Sequence, residues 1–163
     1  METTSKKKLV IRIILWFIVI VVVAGFTLEY VRTKKVARDS IRIHNLKLVQ
    51  YFLEDYFLEN QTFPVAEGAL TAEEGLTSCK IAWNELNQTL TANTGVLLPE
   101  DPGQNCTTKP YQYIYRSNGA DYKVIATPEK CEWGTDKNIL DPARPCTKES
   151  GNWAVYSDGA QNW

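Results

Sequence analysis

The residues whose types could do chemistry are three aspartates late in the chain, Asp136, Asp141 and Asp158, and four cysteines, Cys79, Cys106, Cys131 and Cys146. Calcium takes carboxylate and carbonyl oxygens from irregular backbone. The aspartates in or just after the segment between Cys131 and Cys146 are therefore the candidate ligands of a structural calcium. Their spacing is not that of an EF-hand, and the alternative is a set of solvated turn aspartates. No two cysteines lie close enough to form a CxxC redox pair or a zinc knuckle. His44, the only histidine, lies in a different segment from every cysteine, which weakens a mixed zinc site. Two disulfides in an oxidising compartment account better for the even count. Four cysteines allow three connectivities, and the expected one joins Cys131 to Cys146 and Cys79 to Cys106.

Catalysis needs a tunable base beside a nucleophile or metal, and the sequence offers none. His44 sits among Ile43, Leu46 and Lys47, as a side chain on a helix flank. Glu54 and Asp55 are adjacent on the same helix and point in different directions, unlike carboxylates that share a substrate. Glu73 and Glu74 read as a helix first turn. No GxSxG, HExxH, Walker loop or GxGxxG occurs, and the expectation is that the chain is not an enzyme. With 18 basic and 19 acidic residues the net charge is -1, which creates no field to draw nucleic acid. Asn60, Asn87 and Asn105 each begin an N-x-T glycosylation pattern, a short motif that matters only where the transferase is present.

The elements that must carry these residues begin with Leu9–Leu28, LVIRIILWFIVIVVVAGFTL, long enough to cross a bilayer as a helix with Arg12 snorkelling at one end. The expected division is a basic cytoplasmic N-terminus over 1–8, a transmembrane helix over 9–28 and an extracytoplasmic domain over 29–163. A removable secretory signal ending at Val23-Ala24-Gly25 is the competing reading; the apolar run exceeds the usual length of such a signal. Lys6, Lys7 and Lys8 precede the run, and Arg32, Lys34, Lys35, Arg38 and Arg42 follow it, so flanking charge does not orient it. The cysteines do, because braces are of use only outside a reducing cytoplasm.

Beyond the span, Ile43, Leu46, Val49, Leu53, Tyr56 and Phe57 recur at helical spacing, predicting an amphipathic helix over about 36–59, with Ile41, Leu48 and Phe52 widening its apolar stripe. No proline occurs before Pro64, so span and amphipathic segment can form one helix. Thr71 and Glu74 suggest a capping box, and Ile81, Trp83, Leu86 and Leu90 a short helix over about 78–90. Strand-like runs at 111–116 and 121–127 flank an Asn-Gly turn, and a third lies at 153–157. Tyr111, Tyr113 and Tyr115 share one strand face, which either packs on the amphipathic helix or forms an aromatic binding platform. The fold class is α+β: a long N-terminal helix, half membrane span and half amphipathic, packed on an antiparallel sheet of three to four strands.

This order of elements resembles type IV pilins and type II secretion pseudopilins. Arg38-Asp39-Ser40-Ile41-Arg42, then Leu46-Lys47-Leu48-Val49-Gln50 and Tyr56 to Pro64, are similar to the family's RDxxRxxxLxxIQxxLxxYYxxNxxYP stretch. Leu98-Pro-Glu-Asp-Pro102, the tyrosine-rich hairpin and Asn152 to Gly159 resemble its later segments. The resemblance implies a membrane-anchored, pilin-like structural subunit, close to the secretion-type major pseudopilin, whose partners are sibling subunits and an assembly machinery. In this chain Gly25-Phe-Thr-Leu-Glu29, which is similar to the family's processing signal, follows the apolar helix instead of preceding it. The run Leu9–Leu28 also lacks the family's glutamate. A second reading is a stand-alone membrane-tethered binding module that does not polymerise.

Overall fold

The computed structural model describes residues 2–92, 95–107, 111–131, 139–147 and 151–163, in two compact units, Met1–Lys35 and Val36–Trp163. Helix α1 spans Glu2–Asn60 without interruption, as the absence of proline before position 64 allows. Its end comes before the proline. Gln61 takes a left-handed conformation at φ 56°, its N–H bonds to the Phe57 carbonyl at 2.8 Å, and its side-chain amide donates to the Leu58 carbonyl at 3.1 Å. These bonds satisfy carbonyls that the last helical turn leaves open.

Four strands follow as an antiparallel meander in the order β1-β2-β3-β4: Leu76–Thr77, Tyr113–Ser117, Tyr122–Ala126 and Trp153–Tyr156. Helix α2 covers Ile81–Thr91. The expected architecture is present: the second half of α1 packs on this sheet. Leu46, Val49, Phe52 and Leu53 share one buried cluster with Tyr113 and Tyr115 of β2, Tyr122, Val124 and Ala126 of β3, and Trp153 and Val155 of β4. Trp83, Leu86 and Leu90 of α2 complete it. Alternation along each strand sends Ile114, Ile125 and Ala154 to the other face, where they meet Leu70, Tyr156 and Trp163.

The β2–β3 turn forms where Asn-Gly predicts it. The Asn118 Oδ1 accepts N–H bonds from Ala120 at 3.0 Å and Asp121 at 2.7 Å, and Gly119 holds φ 89°. A side chain is strained at that φ, and a Cβ there would also sit 3.1 Å from the Thr62 hydroxyl.

One strand is unforeseen and two local expectations need correction. The short strand β1, whose Leu76 and Thr77 lie opposite Tyr115 and Ile114, is two residues long and leaves no alternation to read. The Thr71 hydroxyl does accept the Glu74 N–H at 3.2 Å, but in an isolated turn, and α2 starts at Ile81 with no side-chain cap. Ile41, expected on the apolar stripe, is 46% exposed, because the buried face of α1 is centred on Leu46, Val49 and Leu53.

Candidate functional site

The most conspicuous surface belongs to the first unit. Every large apolar side chain from Ile13 to Val31 is at least 49% exposed. At about 1.5 Å rise per residue this run measures roughly 27 Å, close to a bilayer's hydrocarbon thickness. The helix is long and apolar enough to cross a membrane. Exposed apolar surface on this scale calls for a bilayer or other helices to cover it.

In the second unit, what α1 carries is a buried set of ion pairs. Arg42 is fully buried and forks onto Asp101, with Nε to Oδ2 at 2.7 Å and Nη2 to Oδ1 at 2.8 Å. Its Nη1 donates to Asp39 Oδ1 at 2.6 Å, and the Tyr111 ring lies 4.8 Å from its guanidinium carbon. Arg38 holds both oxygens of Glu129, which also lies 3.3 Å from Arg42. Asp39 in turn accepts the main-chain N–H groups of Glu129 and Lys130 at 2.9 and 3.0 Å. One turn of α1 thereby ties down the loop bearing Asp101 and the segment after β3. Burial disfavours the Arg42 charge, but the hydrogen bonds and charge of Asp101, and then those of Asp39, outweigh it and raise the pKa. The Arg38 hydrogen bond holds the Glu129 carboxyl below the ordinary value.

A second buried pair lies on the other face of the sheet. Lys123 of β3 and Asp141 are both fully buried, with Nζ to Oδ1 at 2.7 Å. Lys123 also donates to the main-chain oxygens of Gln161 at 3.0 Å and Trp163 at 3.1 Å. Arg144 bridges Asp141 Oδ2 and the Trp163 oxygen at 2.9 and 3.0 Å. The segment after β4 is thus latched across the sheet by two cations, and Arg116 stacks over the Trp163 ring at 4.6 Å.

Of the calcium candidates, Asp141 has its oxygens engaged by Lys123, Arg144 and the Ala143 N–H. Asp158 is exposed on the short 3-10 helix Asp158–Ala160, and Asp136 lies outside the described residues. Among the described residues no three His, Cys, Asp or Glu side chains gather as a metal site. Cys79 is joined to Cys106 and Cys131 to Cys146. The first bridge braces the loop that presents Asp101, where Ser78 and Gln104 also meet at 2.6 Å. His44, Glu54 and Asp55 are exposed on α1. Tyr113 and Tyr115 are fully buried under the helix, so the aromatic-platform reading gives way to packing.

Neither charge network follows from the sequence, in which Arg38 and Arg42 stand as flanking charge for the span; in the fold both are committed to carboxylates of the second unit. The signal available was Asp39 three residues before Arg42, an i,i+3 pair on one helix face.

Burial raises the pKa values of Tyr113, Tyr115 and Tyr122 well above the ordinary value of 10.0. The folded state holds those protons more tightly than the unfolded state, so this stability is complete below pH 10 and is lost as pH climbs above it. Alkaline titration should therefore show tyrosinate absorbance from these three residues arising together with loss of circular dichroism, not before it.

No family model matches the chain, and neither a curated protein nor a solved structure shows significant similarity to it.

Proposed function

We propose that this chain is a pilin-like or pseudopilin-like structural subunit of a type IV pilus or type II secretion-type filament, anchored in a membrane by the first part of α1 with residues 36–163 outside the cytoplasm. The observation that carries the reading is that one helix bears an exposed apolar run and then, on the same helix, the face that docks on a disulfide-braced meander. The two disulfides support an oxidising compartment for the second unit. The interior is spent on packing and ion pairs, which suits a subunit whose work is assembly.

One observation favours the second reading, a membrane-tethered module that stays single. The span presents Trp16, Phe17, Ile18, Ile20 and Phe26 instead of the small residues that let helices approach closely in lipid. Photo-crosslinkers at Phe17 and Val21 in the native membrane decide between the two. The filament reading expects a ladder of homo-oligomers or mixed oligomers with related subunits. Monomer alone, at native expression, removes it and leaves the tethered module.

A further inference from the structure

The charged residues directly after the apolar run are arranged in a way the anchor reading does not use. Arg32, Lys34 and Lys35 follow Val31, all in the first unit, and a single carboxylate, Glu29, stands close before them, 3.7 Å from Arg32. At about 100° per residue Arg32 and Lys35 lie about 60° apart and Lys34 about 100° beyond Lys35, so the three cations spread over roughly 160° of the helix as a partial collar. A layer of lipid headgroups surrounds the helix and meets all three.

Depth points the same way. From Arg12 to Arg32 the helix rises roughly 30 Å, so a bilayer centred on the apolar run places the collar among the headgroup phosphates of one leaflet. Tyr30 is exposed just inside it, the level at which tyrosine is favoured in membranes. The Lys34 ammonium rests 4.5 Å over that ring, which leads the lysine stem along apolar surface to a polar tip. Three cations against one carboxylate leave an excess of positive charge that zwitterionic headgroups do not neutralise and anionic ones do.

We infer that the collar formed by Arg32, Lys34 and Lys35 is a binding surface for anionic phospholipid headgroups in the leaflet on the side of residues 36–163. The inference rests on the membrane reading of α1. Anionic lipid concentrates around the helix there and holds the span at a fixed depth.

The test uses the full chain reconstituted into vesicles of phosphatidylcholine alone and into vesicles with about one-third phosphatidylglycerol, alongside the K34Q/K35Q variant. Flotation reports insertion, and spin-labelled lipids report which headgroup is immobilised at the protein. The expected result is equal flotation in all cases. The native chain should prefer phosphatidylglycerol by about fivefold, a preference that collapses in about 0.5 M salt and falls below about twofold in the variant. A native chain that inserts without preference overturns the collar while leaving the anchor intact. So does a variant that keeps the full preference, which would place it in the cations before the span. Failure to float in either vesicle overturns the anchor reading, and the collar with it.

Discussion

Replacing Arg42 with methionine should destabilise residues 36–163 by about 3–5 kcal/mol, the cost of leaving buried carboxylates without their cation. The substitution removes two bonds to Asp101 and one to Asp39, and takes the charge from beside Glu129. Methionine has nearly the right length and no polar atom, so the loss reflects charge more than volume. Pairing it with a second change, R42M/D101L, should recover part of the loss, because a buried pair replaced whole costs less than a pair broken. Urea unfolding of the oxidised chain in detergent, followed by tryptophan fluorescence, reads R42M, D101L and the double variant against the native protein. Full additivity of the two single losses would show that Arg42 and Asp101 do not act together. Glu129 also contributes to the acid limb of stability. Glu129 is held below its ordinary value, so its contribution is complete above that value and drains away as pH falls through the lower, folded value.

The second large effect is expected at Asp141. Changing it to asparagine keeps the shape and removes the carboxylate charge paired with Lys123, leaving the buried ammonium, among the described residues, to an amide oxygen and the main-chain oxygens of Gln161 and Trp163. The expected loss is again about 3–5 kcal/mol. Calcium separates this account from a metal site, since Asp141 was a candidate calcium ligand on sequence. If its oxygens are engaged by Lys123 and Arg144, unfolding midpoints of native and D141N protein should differ equally in chelator and in calcium. A difference that appears only with calcium would return Asp141 to the metal.

These two clusters also mark where the sequence is hard to read. Helix α1, its docking face and the Asn118-Gly119 hairpin follow from periodicity and turn chemistry, which are local and survive in one dimension. Lys123 was invisible for the opposite reason. On a strand with one wet face, a lysine between Tyr122 and Val124 belongs in water, and it is Asp141 and the residues after β4, Gln161 and Trp163, that meet it on that face. Apart from Asp39, the partners of Arg42 lie 59 and 87 positions away, a separation that no pattern along the chain reveals. Strand β1 escaped because two residues register only through the partner they pair with. Tyr113 and Tyr115 were legible as a sheet face that packs on the amphipathic helix, with an aromatic platform as the alternative, and where α1 lies decides between the two.

The claim on which the functional reading depends is that the apolar first part of α1 stays attached to an oxidised second unit in a membrane. The direct test is the intact mass of the chain recovered from native membranes after alkylation without reductant. The account predicts a chain that retains residues 9–28, with all four cysteines unalkylated. A chain starting near Phe26, or one carrying alkylated cysteines, would contradict it.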